Sequence, residues 1–283
     1  MSDNSHESNV SKNTRGFLSF VLFVLIVILS LTACANLTFA NKNNIKNQFL
    51  SYNYVCGVKD NVSTYAKDIC FQNGINADFV DDVFNYDDVK TVVSSYFCYY
   101  ITDDIEYSET AHEANIDKLC EAFRIEIESN LKNPNLTYDE KTAAAISADV
   151  SSYFKDAVKI PHMDKIRTAM NVGTIALYVT IGVSAFFVLS VMLITFFVGK
   201  KRFRSLRAIS ISFMSAGFYE MCLALIIYVI FSVKKVDLFP LYLENQLMSY
   251  INMTVMNIAC CAGILMVISL ILSSIVWKIR KNN

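Results

Sequence analysis

An acidic residue, Glu220, lies inside a long apolar stretch and is the strongest candidate for chemistry within a membrane. Positions 208–233 contain no other charged residue. A carboxylate near the middle of a bilayer is costly unless it is paired, protonated or in contact with water. Glu220 could therefore relay ions or protons, or it could be a protonated acid that fixes helix packing through a hydrogen bond. Candidate partners in the neighbouring apolar stretches are Ser184 and Asn257.

Four of the eight cysteines lie in the hydrophilic part of the chain, where disulfides could form. They are Cys56, Cys70, Cys98 and Cys120, and four cysteines allow three pairings that the sequence does not separate. Two disulfides would staple this part of the chain, whereas in a reducing setting all four would be buried free thiols. Their spacing includes no CxxC or Cys/His pattern, so the sequence predicts no zinc site.

The sequence lacks the motifs that mark common catalytic sites. His112-Glu113 begins like the HExxH motif of zinc proteases, but Ile116 stands where the second histidine is required. No nucleophile elbow, phosphate-binding loop or dinucleotide-binding glycine motif is present. Two clusters of acidic residues, at 81–88 and 103–109, lack the spacing of a calcium-binding loop. We therefore expect a protein that is not an enzyme and has no cofactor or metal, with His112 as a solvated helix residue.

Four apolar stretches must position these residues, because each is long enough to cross a bilayer as a helix. They cover positions 16–40, 169–199, 208–233 and 250–277, and Glu220 is the one charged residue among them. The composition agrees, since 54% of the residues are hydrophobic and 18% are charged, against about 25% charged in soluble domains. The sequence predicts an all-α membrane protein with four transmembrane helices.

The distribution of lysine and arginine predicts how these helices are oriented. The loop at 200–207 has five basic residues and no acidic one, and the tails at 1–15 and 278–283 also carry basic residues beside a span. All three segments fall on one side of a four-span chain. We expect both termini in the cytoplasm, positions 41–168 and 234–249 outside it, and the protein in the plasma membrane.

The first span has an alternative interpretation as a cleaved signal peptide. Leu31-Thr32-Ala33-Cys34 is similar to a bacterial lipobox, in which the cysteine is lipidated after cleavage. The apolar run continues to Ala40 and completes a full span, which favours an uncleaved helix. Either outcome places the following segment outside the cytoplasm.

That segment, 41–168, has the periodicity of amphipathic helices. Apolar residues recur at four-residue steps in two stretches, namely Leu119, Phe123, Ile127 and Leu131, then Ile146, Val150, Phe154 and Val158. About 130 residues are enough to bury a core, so the sequence predicts an extracytoplasmic antiparallel helical bundle. Positions 41–171 contain 21 acidic and 13 basic residues, which argues against nucleic acid as a partner.

Small residues and a short external segment predict how the helices meet. The third span has Ser212 and Ala216, and the fourth has Ala259 and Gly263, at the four-residue spacing that suits close helix packing, either within one chain or between two copies. In the external loop, positions 239–247 have the pattern of a short interfacial helix. Its leucines and tyrosine would face lipid or the underside of the external domain.

Several short stretches form a pattern that extends over most of the chain. They are Asn43-Asn44-Ile45-Lys46-Asn47-Gln48-Phe49 after the first span, Gly74-Ile75, Phe79-Val80-Asp81-Asp82-Val83-Phe84, Asp88-Val89-Lys90, Leu136-Thr137-Tyr138-Asp139-Glu140 and Val158-Lys159-Ile160-Pro161. In this pattern the chain resembles uncharacterised four-pass membrane proteins of low-GC Gram-positive bacteria. The resemblance implies a helical extracytoplasmic domain between the first and second spans and a bacterial plasma membrane. It implies no activity.

These features favour a surface sensing or binding protein that acts through its external helical domain. The cytoplasmic segments are too short to fold into an output domain, so a signal would pass through the spans to a protein partner or a second copy of the chain. The alternative is a small transporter or channel subunit that uses Glu220. Membrane lipid is an expected partner in both cases.

Overall fold

The structure is a computed structural model that describes residues 9–102, 109–131, 140–160, 162–198, 202–233 and 241–281. In this part of the chain all regular secondary structure is helical, as the sequence predicts. The helices are α1 Asn9–Ala35, α2 Lys42–Phe49, α3 Tyr52–Gln72, α4 Val80–Val83, α5 Tyr86–Phe97, α6 Glu109–Leu131, α7 Glu140–Val158, α8 Met163–Val198, α9 Arg202–Val233 and α10 Leu241–Lys281. Short π-helical segments, Asn36–Ala40 and Cys98–Thr102, follow α1 and α5.

Two compact units divide these helices between them. The first, here called the membrane unit, comprises Met1–Ala40, Met170–Val236 and Tyr250–Asn283. The second, the helical domain, comprises Asn41–Ala169 and Asp237–Ser249. Helices α8 and α10 each contribute residues to both units, so two of the boundaries between the units fall within helices.

Four helices in the described part of the chain are long and apolar enough to cross a membrane, which confirms the four predicted from the sequence. One buried cluster draws residues from α1, α8, α9 and α10, namely Leu22, Ile26, Val188, Ile209, Ala216 and Leu265. Large apolar side chains such as Phe186 and Leu225 are exposed on the surface of this unit. Such a surface is suited to contact with lipid, where helices satisfy their own backbone hydrogen bonds.

The basic segment that the sequence places in a loop at 200–207 is mostly helical. Helix α9 begins at Arg202, so Arg204 and Arg207 lie on its first turns. Long basic side chains on a helix can extend toward water while their stems cover apolar surface. The helix therefore begins before the apolar stretch that defines the predicted span.

The backbones of α9 and α10 approach closely at Gly217. A Cβ atom added there would lie 2.8 Å from the carbonyl oxygen of Ala262 and 2.9 Å from Cγ of Met266. Ser212 is buried on the same helix, as its spacing predicts. Gly263 makes no such approach within the chain, because nothing lies within 4 Å of the position its Cβ would take, and its packing against a second copy stays a prediction.

Large aromatic side chains form the core of the helical domain. Tyr54, Phe84, Phe97, Phe123 and Phe154 are each less than 2% exposed. The rings of Phe84 and Phe123 have their centroids 5.4 Å apart, and that of Phe84 lies 6.0 Å from that of Phe154. These pairs join the segment after α4 to α6 and α7 by edge and tilted contacts, which add to the free energy of burial.

The apolar stripes predicted for α6 and α7 face this core. The buried members on α6 are Leu119, Phe123 and Ile127, and those on α7 are Ile146, Val150, Phe154 and Val158. Residues four positions apart lie on one face of a helix, so each stripe buries a continuous surface. The side chain of Leu131 lies outside the described residues.

The first turns of α10 belong to the helical domain. Tyr242 is buried against Gly57 of α3, where even an added methyl group would overlap the tyrosine. Its hydroxyl donates to the backbone carbonyl of Ala157 on α7 at 2.7 Å. Gln246 is also buried and donates from Nε2 to the carbonyl of Gln48 at 2.6 Å.

This packing corrects the interfacial helix predicted at 239–247. The described residues of that segment are not a separate helix but the beginning of α10. Tyr242 faces the helical domain, which was one of the two predicted environments, and the reason is the space that Gly57 leaves for its ring. Positions 239 and 240 lie outside the described residues.

Candidate functional site

Glu220 lies on the buried face of α9, beside α1. Its side chain is 0% exposed, and its Oε1 accepts a hydrogen bond from Oγ of Ser30 on α1. Its Oε2 is buried without a hydrogen-bond partner. A buried oxygen that lacks a partner is costly, so this carboxyl is suited to hold a proton or to accept a further donor.

Neither partner suggested by the sequence bonds to Glu220. Ser184 on α8 is buried, but its hydroxyl donates to backbone carbonyls of its own helix. Asn257 on α10 donates from Nδ2 to the hydroxyl of Thr38, at 3.4 Å. The signal that identifies Ser30 is its position, because it lies near the middle of its apolar stretch just as Glu220 does.

Serine hydroxyls bridge the helices of the membrane unit at two other places. Between α1 and α9, the hydroxyl oxygens of Ser19 and Ser212 are 2.8 Å apart. Between α9 and α10, the hydroxyl oxygen of Ser210 lies 3.0 Å from that of Ser269 and 2.7 Å from that of Ser273. Such bonds link helices in apolar surroundings, so we interpret both groups as packing contacts rather than as binding sites.

All eight cysteines are free thiols in the structure. Of the four disulfide candidates, Cys70, Cys98 and Cys120 are buried and Cys56 is half-buried. Burial raises the pKa of Cys70 to about 11, and it raises that of Cys120 to about 11 as well. Both thiols therefore stay protonated and unreactive at neutral pH. This arrangement corresponds to the free-thiol alternative, and the disulfides stay a prediction.

Cys34, the cysteine of the lipobox-like motif, is buried in the membrane unit at 2% exposure. Helix α1 continues through it to Ala35. Cleavage before Cys34 would remove Ser30, and with it the hydrogen-bond partner of Glu220. The packing of the membrane unit includes residues on both sides of this position, and the uncleaved first span stays a prediction.

A polar groove of about 500 Å³ lies between α6 and α7 of the helical domain. Its charged lining residues are Asp117, Glu121, Arg124 and Lys155, and its hydroxyl-bearing ones are Ser147, Ser151 and Ser152. Charges of both signs are held in place by ion pairs. Nζ of Lys155 lies 3.2 Å from Oδ1 of Asp117, and Nη2 of Arg124 lies 2.6 Å from Oε1 of Glu121. The groove therefore combines paired charges of both signs with serine hydroxyls.

The groove was not predicted, although the sequence contains its signal. Ser147, Ser151 and Lys155 recur at four-residue steps and so share one face of α7. That polar stripe lies beside the apolar stripe that the periodicity identified. A polar stripe on an amphipathic helix is ordinarily its solvated face, which is why spacing by itself does not reveal a groove.

His112 is buried, so the prediction of a solvated side chain is wrong. It is 8% exposed, and its Nδ1 lies 3.2 Å from Oγ of Ser95. Removal from water lowers the pKa of His112. The hydroxyl of Ser95 donates to the backbone carbonyl of Val92 at 2.7 Å, so the pair is a core contact. His112 shares a face of α6 with Ile116, four residues on, and Ser95 of α5 gives its ring a polar partner in the core.

Two acidic residues of the helical domain, Asp81 and Asp88, take part in an ion pair and in a helix cap. Asp81 lies 2.6 Å from Nζ of Lys67, and this hydrogen bond lowers the pKa of Asp81. Asn85 accepts a hydrogen bond from the backbone N–H of Asp88 and so caps α5. Among the described residues, no group of three or more His, Cys, Asp or Glu side chains could hold a metal ion.

No family model, no curated protein and no solved structure matches this chain. The resemblance to four-pass membrane proteins of Gram-positive bacteria therefore stays a prediction.

Proposed function

We propose that this protein is a sensing or binding protein of the plasma membrane, whose helical domain lies outside the cytoplasm and binds a polar ligand. The basic residues at 200–207 and at both termini support this orientation. The groove between α6 and α7 supports a polar ligand, since both signs of charge line it. The output passes through the spans to a protein partner or to a second copy of the chain.

The observation that carries this proposal is that one helix serves both units. Helix α10 is continuous over Leu241–Lys281. Its residues up to Ser249 belong to the helical domain, and those from Tyr250 belong to the membrane unit. Because Tyr242 and Gln246 are buried and hydrogen-bonded in the domain, a change in the packing of the domain would act on a helix that also forms a span.

A short path connects the groove to α10. Lys155 lines the groove on α7, and Ala157, two residues further along the same helix, accepts the hydrogen bond of Tyr242. A ligand that displaced Asp117 from Lys155 would disturb α7 beside this bond. We infer that ligand binding shifts α7 relative to the first turns of α10, and that this shift is the signal.

The ligand hypothesis is tested by site-specific photo-crosslinking in native membranes. A photo-reactive amino acid is placed at Ser152, which is exposed and lines the groove, and in a matched variant at Asp68, which is exposed on α3 away from it. We expect a discrete crosslinked species from position 152 that is absent from position 68 and weakens when Lys155→Ala is added. The same species from both positions, or none from position 152, would refute the groove as the binding site.

The orientation is tested by thiol labelling of intact cells. In a Cys56→Ser background, Asp68→Cys and Arg202→Cys each place an exposed thiol on the helical domain and at the start of α9. With a membrane-impermeant maleimide, we expect position 68 to be labelled on intact cells and position 202 only after lysis. The opposite pattern would invert the topology and remove the proposed surface role.

A second candidate function, a small ion or proton transporter subunit, is favoured by Glu220. Its Oε2 is buried and without a partner in the membrane unit. Proteoliposomes with an internal pH-sensitive dye would report proton flux driven by an imposed potential. Flux that is present in the wild type and lost in Glu220→Gln supports this function. A correctly folded protein that gives no flux excludes it.

A further inference from the structure

Two cysteines from opposite ends of the chain meet inside the membrane unit. The Sγ atoms of Cys34 on α1 and Cys261 on α10 are 3.1 Å apart, although the residues are separated by 227 positions in the sequence. Cys34 is 2% exposed and Cys261 is half-buried. Both are free thiols, so their separation has not been imposed by a bond.

The surroundings hold the two thiols against each other. Cys34, Ala224 and Ile258 form a buried cluster against which Cys261 packs, and this cluster joins α1, α9 and α10. The thiol of Cys34 also points toward the backbone carbonyl of Asn257, at 3.7 Å. Interiors packed in this way leave side chains few alternative positions, so the close approach of the two sulfur atoms is maintained.

We propose that Cys34 and Cys261 form a reversible disulfide that links α1 to α10 within the membrane unit. To bond, the sulfur atoms must approach each other by about 1 Å, to the disulfide length of about 2.05 Å. Side-chain rotation covers such a distance more readily than a movement of the helices would. The proposal does not rest on the proposed function.

The bond would restrain the helices that hold Glu220. Ser30 precedes Cys34 by one helical turn on α1, and Glu220 precedes Ala224 by one turn on α9. The Ser30–Glu220 hydrogen bond and the Cys34 cluster are therefore adjacent layers of the same packing. Oxidation would fix the first and last spans next to the buried carboxyl, and reduction would release them.

The oxidant must reach a site among apolar helices, and a lipid-soluble quinone is the chemical class that fits. Cys260, beside Cys261, is exposed on the surface of α10, so a small apolar oxidant can approach from that side. The S–H bonds of two cysteines break, one S–S bond forms, and the quinone takes up two protons and two electrons to become a quinol. A dithiol reductant reverses the change by thiol–disulfide exchange.

The test counts free thiols in the full-length protein before and after oxidation. Membranes that contain the protein are treated with a fully substituted benzoquinone, which cannot add to thiols. The protein is then denatured and labelled with a polymer-linked maleimide, and the labels are counted by gel shift. The variants are Cys34→Ser and Cys261→Ser, and the matched control is Cys222→Ser, because Cys222 is exposed on α9 of the same unit.

We expect oxidation to remove two more thiols from the wild type than from either Cys34→Ser or Cys261→Ser. The Cys222→Ser control should lose as many thiols as the wild type, and dithiothreitol should restore the full count in each case. Disulfides elsewhere in the chain would lower all the counts equally and leave this difference intact. Equal losses in the wild type and in Cys34→Ser would overturn the proposal.

A second measurement separates a failure to oxidise from a failure to fold. The thermal unfolding midpoint of the oxidised wild type should exceed that of the reduced wild type, whereas Cys34→Ser should give one midpoint under both conditions. If Cys34→Ser unfolds at the midpoint of the reduced wild type, the variant is folded and its thiol count is valid. An oxidised wild type that gains no stability would contradict a bond between α1 and α10.

Discussion

In the helical domain the largest fully buried side chains are aromatic, such as Phe84 and Phe123, whereas the buried residues of the membrane unit include Ser212, Ala262 and Glu220. The surfaces differ in the opposite sense, because large exposed apolar side chains are concentrated in the membrane unit. In water, removing aromatic surface from solvent stabilises a fold. Lipid is itself apolar, so helices there are held by close packing and by hydrogen bonds. The comparison predicts that equivalent substitutions have different effects in the two units.

The largest effect is expected from Phe123→Ala in the helical domain. Phe123 is fully buried, and the loss of such a side chain leaves a cavity that costs about 3–5 kcal/mol of the free energy of unfolding. Hydrogen exchange of the α6 amides in the detergent-solubilised full chain would measure this. Phe71→Ala is the control, because Phe71 is 84% exposed and its loss should change stability by less than about 0.5 kcal/mol. Equal effects of the two substitutions would contradict an aromatic core.

A smaller loss, of about 1–3 kcal/mol, is expected from Gly217→Ala in the membrane unit. The added methyl group would meet the carbonyl oxygen of Ala262 at 2.8 Å, and α9 and α10 would have to separate. Thermal unfolding in detergent measures the change. Gly263→Ala introduces the same methyl group with nothing within 4 Å of it, so it should leave the midpoint unchanged. If both variants behave alike, small residues do not set the packing of this unit.

Ser30→Ala should destabilise the membrane unit by about 1–3 kcal/mol, because the buried carboxyl of Glu220 would lose its donor. In a Glu220→Leu background the same change should cost far less, since no buried oxygen is left unpaired. The double-mutant cycle therefore isolates the hydrogen bond, with thermal unfolding in detergent as the measurement. An identical cost in both backgrounds would show that Ser30 acts only through its size.

The smallest effect is a dependence of the helical domain on pH. Burial puts the pKa of His112 in the folded protein below its value of about 6.5 in the unfolded chain. As pH falls through 6.5, the unfolded chain binds a proton before the folded one does, so the free energy of unfolding declines toward acidic pH. The contribution of His112 to the free energy of unfolding is fully present above pH of about 6.5.

Hydrogen exchange of the α5 and α6 amides at pH 7.5 and at pH near 5.5 would detect the decline in the wild type. His112→Gln should flatten the difference between the two pH values. His162→Gln should preserve it, because His162 is exposed. A pH dependence that survives His112→Gln would have to come from another group.

The elements of both units could be predicted from the sequence, because length and periodicity determine them. The four apolar stretches and the stripes that contain Phe123 and Phe154 are local patterns, and they are where the sequence places them. Contacts between distant segments could not be predicted in the same way. Ser30 and Glu220 are 190 positions apart, and no spacing rule relates a serine in the first span to an acid in the third.

His112 and Tyr242 illustrate a second limit. Both are amphipathic side chains that periodicity does not assign, because a polar tip is compatible with either a core or a surface. His112 is buried since it has Ser95 beside it, and Tyr242 is buried since Gly57 leaves room for its ring. In each case the deciding partner lies on another helix.

The shared helix α10 also constrains how the protein is made. The helical domain needs Tyr242, but some 70 residues separate this tyrosine from Ala169, where the first part of the domain ends. At a translation rate of about 5–20 residues per second, Tyr242 is synthesised several seconds after the earlier helices of the domain. During that interval the tyrosine's place beside Gly57 is vacant, so synthesis of α9 precedes completion of the domain. A recombinant fragment that stops at Ala169 would therefore be an unfinished fold.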